Sequence, residues 1–143
     1  MSVRSLIAVL GGVVIIYVLG GILEGPLVAR LASVRPASIE ELIVVRNEPA
    51  VLLGRLAITG FVGLLAGYVL ARIAGVYELP HAAASAVLQG FIVMRGFATD
   101  PGAAQVSLAM RLAFVAVAAA AMLAGAAIRA RAARVIAQTE VRS

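Results

Sequence analysis

Few ionisable side chains could carry chemistry, and two of them lie at the ends of neighbouring apolar stretches. Glu24 closes the first long apolar stretch, and Arg55 lies about two turns into the second. A carboxylate at the edge of a hydrocarbon layer can relay protons or bind a cation. It can also face lipid headgroups or pair with a nearby guanidinium group. We expect Glu24 to take one of these structural roles, with Arg55 as its candidate partner in an intramembrane polar pair.

A second group of ionisable residues, Arg72, Glu78 and His81, lies in a short polar turn between two apolar stretches. Glu78 and His81 have the i, i+3 spacing of two ligands on one helical turn. A metal site needs three or four ligands, and the chain has one histidine and no cysteine. We therefore predict an interfacial turn in which His81 caps the turn or hydrogen-bonds a backbone carbonyl. No catalytic, cofactor or metal site is predicted, and we expect no enzyme activity.

Three uncharged residues within the apolar stretches indicate helix packing. Gly63 and Gly67 have GxxxG spacing, which lets two helix backbones approach closely. Gln89 is a polar side chain in the middle of the third stretch. It is expected to hydrogen-bond a neighbouring helix, and the alternative is that it lines a narrow pathway.

The composition indicates a membrane environment. Hydrophobic residues make up 63% of the 143-residue chain and charged residues 13%, whereas a soluble domain has about 45–50% and about 25%. A small soluble domain exposes much of its surface to water and needs polar residues there, which this composition does not supply. An integral membrane protein is therefore predicted. Its abundant arginine and alanine suggest a bacterial source with a GC-rich genome, and hence the inner (plasma) membrane.

The net charge of +5 bears on the expected partners. Nucleic-acid binding needs a basic stripe on a water-exposed fold, and no such fold remains once the apolar stretches are placed in a bilayer. Anionic lipid headgroups are therefore the expected partner, with no nucleic acid.

The apolar stretches predict an all-α fold, a single bundle of four transmembrane helices. The spans are expected at about residues 5–24, 49–71, 79–95 and 111–129, followed by a basic tail at 130–143. A secretory signal peptide is the alternative for the first span, but its apolar run exceeds the usual ~7–15 residues, so we expect retention. Ser38 and Glu41 have capping-box spacing, which predicts a short interfacial helix at about 39–46. Pro49 fits the first turn of the second span.

The second and fourth spans share a short motif, Leu-Ala-Gly, at 65–67 and 123–125. A four-span bundle runs these two spans in the same direction. Two duplicated hairpins would explain the match, and so would chance in helices rich in alanine and glycine.

Arginines near the span ends favour one orientation. Arg129, Arg131 and Arg134 lie within one or two turns of the end of the fourth span, where the positive-inside bias acts most strongly. Four spans place both termini on one side of the membrane. We therefore expect a multi-pass protein with both termini in the cytoplasm.

One motif of about 20 residues carries a resemblance. The stretch Leu65–Gly75 reads LAGYVLARIAG and is followed by Glu78 and by the pair His81-Ala82. It resembles a pattern in small uncharacterised four-span bacterial membrane proteins, in which a GY…AR…AG helix end leads through a polar turn to HA at the start of the next span. The resemblance implies the four-helix topology and brings no activity, cofactor or site residue with it.

Two functional hypotheses follow. The first is a non-enzymatic protein that acts by packing, as a homo-oligomer or as an accessory subunit of a larger membrane complex. Its small side chains are expected to leave little room for a water-filled cavity in a monomer. The alternative is a transporter or channel subunit for a small solute or ion, formed as an oligomer. Transport is favoured if Glu24, Arg55 and Gln89 face one cavity, and packing if they face headgroups and helix neighbours.

Overall fold

The protein is an all-α bundle, as the sequence predicts. The computed structural model describes residues 3–99 and 106–140, and within them it contains helices and no strand. The helices are α1 (Val3–Leu31), α2 (Ile39–Arg46), α3 (Pro49–Ala74), α4 (Glu78–Thr99) and α5 (Leu108–Glu140). By length and composition, α1, α3, α4 and the part of α5 up to Val135 could each cross a membrane.

The short helix α2 forms where its capping signal predicts it. Ser38 is the N-cap residue, and its hydroxyl accepts a hydrogen bond from the backbone N–H of Glu41 at 3.2 Å. The Glu41 carboxylate accepts from the N–H of Ala37 at 2.7 Å, so it satisfies a second N–H before the helix. Pro49 then occupies the first turn of α3, where its missing N–H leaves no bond unmade. These local signals set the start of α2 at Ser38 and the start of α3 at Pro49.

Helix α1 is longer than the span predicted at 5–24, because it continues through Pro26 to Leu31. Proline has no N–H to donate to the carbonyl of Ile22, one turn earlier, so one helical bond is missing at this point. Membrane helices tolerate such a gap where the surroundings compensate. The last turns of α1 are held by a small apolar cluster of Val28 with Val45 and Val51, which are all buried. That contact fixes the end of α1 against α2 and α3.

Helices α4 and α5 also extend beyond the predicted spans. Helix α4 runs to Thr99, so Arg95 lies on the helix instead of opening a loop. Residues 100–105 of the predicted loop lie outside the described residues. Helix α5 continues to Glu140, so the arginines of the predicted basic tail up to Arg134 extend the helix. Alanine makes up much of this extension, and it is the strongest helix former.

The four long helices meet at Gly12 of α1. A Cβ added there would lie 2.7 Å from the Leu70 side chain, 2.7 Å from the Ser85 hydroxyl and 3.3 Å from Met122, which belong to α3, α4 and α5. The Ser85 hydroxyl donates to the backbone carbonyl of Val9 at 2.9 Å, inside the core. This end of the bundle is therefore closely packed with small residues.

The contacts also give the helix directions. Along α3 and α5, Gly60 lies beside Val117 and Gly67 lies beside Met122, so the two helices are parallel. Helix α1 runs antiparallel to α3, since the Arg4 guanidinium donates to the carbonyl of Ile73 at the far end of α3. The chain therefore crosses the bundle in alternating directions, as a four-span protein must.

Candidate functional site

Glu24 forms ion pairs with two arginines at the end of the bundle opposite Arg4, and the pair with Arg46 is also a hydrogen bond. Its Oε1 atom lies 2.6 Å from Nε of Arg46 and 3.1 Å from Nε of Arg55. The Glu24 and Arg55 side chains are 24% exposed and that of Arg46 is 36% exposed. The three groups come from different elements, with Glu24 on α1, Arg46 at the end of α2 and Arg55 on α3. The pair considered from the sequence is thus part of a three-residue cluster that joins three helices.

Aromatic rings continue this cluster into α4 and α5. The Arg55 guanidinium carbon lies 5.6 Å from the centre of the Phe114 ring, and that of Arg111 lies 5.3 Å from the centre of the Phe97 ring. The two rings are themselves 6.4 Å apart. Cations over aromatic faces are stabilised by the ring quadrupole, more strongly where water is excluded. These contacts help to hold two arginines in the apolar part of the bundle.

A cavity of about 290 Å³ opens beside the cluster. This is well above the ~10–15 Å³ that a cavity needs to hold one water. It lies between α1, α3, α4 and α5, and Arg46 of α2 contributes at one end. Its lining residues are Ile16, Tyr17, Gly20, Gly21, Glu24, Arg46, Arg55, Ile58, Thr59, Gln89, Val93, Phe97, Phe114 and Ala118.

The cavity corrects the expectation that a monomer leaves little room for one. Tyr17, Gly20, Gly21 and Glu24 have the i, i+3, i+4, i+7 spacing of a single helix face, and all four line the cavity. A Cβ at Gly20 or Gly21 would meet nothing within 4 Å. Two consecutive residues without side chains therefore leave open space on the face of α1 that borders the cavity.

Gln89 reaches the same cavity from α4. The residue is 3% exposed, and within the described chain no hydrogen-bond donor reaches its Oε1 atom. Leaving a buried polar atom without a partner costs ~1–3 kcal/mol. The sequence offered two roles for Gln89, a bond to a neighbouring helix or a place on a pathway. The structure places its carbonyl oxygen without a helix partner and the residue on the cavity wall.

The GxxxG face of α3 is used within the chain. A Cβ on Gly67 would overlap the backbone carbonyl of Met122, and one on Gly63 would lie 3.1 Å from the Cβ of Ala121. Both glycines are buried against α5. Gly63 and Gly67 therefore do serve helix packing, with α5 of the same chain as their neighbour.

The predicted interfacial turn lies at the other end of the bundle from the cluster. Nδ1 of His81 lies 2.8 Å from the carbonyl oxygen of Tyr77, which is the backbone contact expected for this histidine. Glu78 begins α4, and Arg72 is exposed in the last turn of α3. The structure brings none of the three to the cavity. Among the described residues, no group of three or more His, Cys, Asp or Glu side chains is placed to hold a metal ion.

Arg46 and Tyr17 are the site residues that the sequence did not reveal. The face shared by Tyr17, the two glycines and Glu24 was a usable signal, because helical spacing can be read from the chain. Arg46 gave no such signal, since it reaches Glu24 only because α2 folds back between α1 and α3.

No family model, curated protein or solved structure matches this chain. The resemblance to small four-span bacterial proteins stays a prediction, and the function is inferred from the cavity and its lining.

Proposed function

We propose that the protein is a transporter or channel subunit that binds a small solute in the cavity between its four long helices, without catalysing a reaction. The observation that carries this proposal is the placement of Gln89: this buried polar residue of α4 lines the same cavity as Glu24 and Arg55. Glu24, Arg55 and Gln89 thus share one cavity, and this arrangement favours transport over packing.

Binding sites for small molecules are concave and largely apolar, with a few polar groups that set orientation and specificity. The cavity has this character, because apolar residues such as Ile58, Val93 and Phe114 line it together with Glu24, Arg55 and Gln89. Polar side chains within membrane spans are costly, and for this reason they commonly mark substrate pathways.

A proton or metal cation is a poor fit to Glu24. Its carboxylate already forms ion pairs with two guanidinium groups, and their positive charges repel an incoming cation. The role of Glu24 is then to position Arg46 and Arg55 at the cavity.

The packing hypothesis has less support from the geometry. Its main motivation was a set of small-residue faces, and the face of Gly63 and Gly67 is occupied by α5 of the same chain. Association into an oligomer or a larger complex would have to use other surfaces. Such association remains compatible with a solute-binding cavity in each subunit.

The proposed setting is a bacterial inner membrane with both termini in the cytoplasm. The arginines that extend α5, Arg129, Arg131 and Arg134, support this orientation, because basic residues next to a span favour the cytoplasmic side. They also favour contact with anionic lipid headgroups, and we propose no nucleic-acid partner.

Tracer uptake into proteoliposomes tests the proposal. Purified protein is reconstituted, the membrane potential is clamped with potassium and valinomycin, and labelled glycerol, tetramethylammonium and methanesulfonate are offered separately. At least one probe should enter faster than it enters protein-free vesicles. Gly20→Leu should abolish the difference, because a leucine fits there without backbone conflict and fills the cavity.

Gly11→Leu is the matched control, since a Cβ at Gly11 also meets nothing within 4 Å and Gly11 does not line the cavity. It should transport like the original protein. Uptake no faster than in empty vesicles for all three probes, or uptake unaffected by Gly20→Leu, would overturn the proposal.

A further inference from the structure

We infer that the cavity is entered sideways, from the hydrocarbon layer of the membrane, and that its solute is an amphiphile with a single aliphatic chain. The polar end of this solute lies beside Glu24 and Arg46, and its chain extends towards Ile16 in the middle of α1. The inference rests on the proposed function in taking the cavity as a solute site. It adds the route of entry and the class of solute.

Helices α1 and α4 are closely packed at the end of the bundle that carries Arg4. They run in the same direction, because the chain crosses the bundle in alternating directions. The Ser85 hydroxyl of α4 donates to the backbone carbonyl of Val9 of α1 at 2.9 Å. A Cβ on Gly12 would lie 2.7 Å from the same hydroxyl. The seam between α1 and α4 is therefore closed at this end.

Three turns further along, the same two helix faces leave a gap. Gly20 lies eleven residues after Val9, and Gly96 lies eleven residues after Ser85. Eleven residues correspond to about three turns of an α-helix, so each glycine lies on the face of its helix that carries the contact. A Cβ on either glycine would meet nothing within 4 Å. The seam between α1 and α4 is therefore open at this level.

The exposed residues of the cavity wall place an opening in this seam. Among the residues that line the cavity, Tyr17 and Gly21 are exposed, and both belong to α1. The exposed fraction of Tyr17 is 47%. On its other side, α1 is held to α3 on both sides of this level, through Arg4 and through Glu24. The opening therefore lies between α1 and α4.

The opening faces the hydrocarbon layer. Helices α1 and α4 are both long and apolar enough to cross a membrane, and Tyr17 lies near the middle of α1, which runs from Val3 to Leu31. Val14 and Val18, on the neighbouring face of α1, are more than half exposed, as side chains in contact with lipid are. At this depth the molecules beside the opening are the aliphatic chains of membrane amphiphiles.

The wall behind the opening suits an aliphatic chain. Ile58, Val93, Phe114 and Ala118 line it without a polar side-chain atom. A water molecule needs ~2–4 polar partners in a cavity, and an empty space deprives its lining of dispersion contacts. A chain that moves in from lipid gains no hydrophobic energy by the transfer, since lipid is equally apolar. Filling this space is therefore what favours its binding.

The size of the cavity limits the solute to one chain. A dry cavity of ~150 Å³ in another protein holds benzene, a six-carbon ring. The volume of about 290 Å³ here therefore corresponds to roughly twelve carbon atoms. Ile16 and Glu24 are eight residues apart on α1, ~12 Å along the helix axis. A chain of this size can reach from the middle of the membrane to the partly exposed pair of Glu24 and Arg46.

Photolabelling from within the membrane tests the inference. The protein is reconstituted in phosphatidylcholine with dodecanoyl lysophosphatidylcholine that carries a diazirine in its chain, and labelled residues are identified by mass spectrometry. Label on Val14 and Val18 (lipid-face label) reports the surrounding lipid. Label on Phe114 and Ala118 (inner-wall label) reports a chain inside the cavity, because both residues are buried and line it. We expect both kinds of label in the original protein.

Two variants close the gap from opposite sides. Gly20→Leu and Gly96→Leu each place a side chain in open space on one of the two helices. Each should abolish the inner-wall label and leave the lipid-face label unchanged. Gly11→Leu is the matched control, because a Cβ there also meets nothing within 4 Å and Gly11 does not line the cavity. It should be labelled like the original protein.

Lipid-face label without inner-wall label in the original protein would overturn the inference, and so would inner-wall label that persists in both variants. Failure of the inference is distinct from failure of the proposed function. The three uptake probes resemble polar ends of amphiphiles without a chain. Uptake that Gly20→Leu abolishes, without inner-wall label, would retain the solute cavity and refute entry from the membrane. Inner-wall label without uptake of any probe would support the chain site and refute transport of the probes.

Discussion

Gly67 of α3 and Gly125 of α5 lie in reciprocal positions where the two parallel helices cross. A Cβ on Gly67 would overlap the carbonyl of Met122, and a Cβ on Gly125 would overlap the carbonyl of Leu64. These two glycines end the repeated Leu-Ala-Gly motif, so the motif marks a close approach of the α3 and α5 backbones. Small residues allow such an approach, and dispersion between the backbones stabilises it.

Alanine at Gly67 should therefore destabilise the protein. The overlapping atom belongs to the backbone of Met122, so the helices must separate, and overpacking of this kind costs ~1–3 kcal/mol. Reversible unfolding in mild detergent measures the loss. Gly11→Ala is the control: its Cβ meets nothing within 4 Å, so the better helix propensity of alanine should stabilise by ~0.5–1 kcal/mol. Equal effects at the two positions would contradict the packing described for Gly67.

The sequence predicted those parts of the fold that have local causes. The capping pair Ser38 and Glu41 predicted the bounds of α2, and Pro49 predicted the start of α3. The end of α1 was missed because the predicted span ended at Glu24, the charged residue that closes the apolar stretch. The helix continues because contacts between distant residues, Val28 with Val45 and Val51, hold its last turns, and such contacts leave no local pattern in the chain.

The candidate site shows the same division. Glu24 and Arg55 could be placed together because their helices are adjacent and antiparallel, a consequence of topology alone. Arg46 and the cavity depend on how α2 folds back and on the space that Gly20 and Gly21 leave open. The position of Arg46 and the shape of the cavity both depend on the packing of distant segments. The helical spacing of residues within one segment does not determine that packing.

A pH-dependent contact joins the end of α1 to the start of α3. The carboxylate of Glu48 accepts from the hydroxyl of Ser33 and, at 3.0 Å, from its backbone N–H. These two hydrogen bonds, the hydroxyl first, hold the pKa of Glu48 below its ordinary value of 4.5. A depressed pKa in the folded state means that the contact stabilises the protein above pH 4.5 and that this stabilisation is lost as the pH falls through the folded-state pKa.

Ser33→Ala should therefore be less stable than the original chain at neutral pH and lose less on acidification below pH 4.5. Unfolding temperature measured against pH gives both quantities. Ser107→Ala serves as the control, because its hydroxyl accepts from the N–H of Met110 and no acid is its partner in the part of the chain that the structure describes. That variant should follow the pH dependence of the original chain. If the stability of Ser33→Ala changed with pH in the same way as that of the original chain, the Glu48 contact would not form.

Labelling of single cysteines tests the topology, since the chain contains no cysteine. Val76 lies in the turn between α3 and α4 and is 63% exposed, and Ser38 begins α2 at the opposite end of the bundle. With both termini in the cytoplasm, Ser38→Cys should react with a membrane-impermeant thiol reagent in intact cells. Val76→Cys should react only after the membrane is permeabilised. Equal reactivity of both in intact cells would end the four-span topology, and the opposite pattern would reverse its orientation.

The shared carboxylate of Glu24 should couple more strongly to Arg55 than to Arg46, although Arg46 lies nearer. A Coulomb energy varies inversely with distance, so the difference between 2.6 Å for Arg46 and 3.1 Å for Arg55 changes it only slightly. Effective dielectric changes it severalfold between water and protein. The Arg55 side chain is 24% exposed against 36% for Arg46, and it stacks on Phe114, so screening is weaker there.

Glutamine substitutions at the three positions form two double-mutant cycles with unfolding free energy as the readout. Glu24→Gln removes the carboxylate from both guanidinium groups and should destabilise most, whereas Arg46→Gln and Arg55→Gln each remove one of its two ion pairs. Each double variant should be destabilised by less than the sum of its single variants. The coupling of Glu24 with Arg55 should lie towards the upper part of the ~0.5–3 kcal/mol range for contacting residues, and that with Arg46 towards the lower part. Arg72→Gln combined with Glu24→Gln should be additive, because Arg72 lies at the other end of the bundle. Additivity of Glu24 with both Arg46 and Arg55 would mean that the cluster does not form, and Glu24 would then be available to bind a proton or a cation.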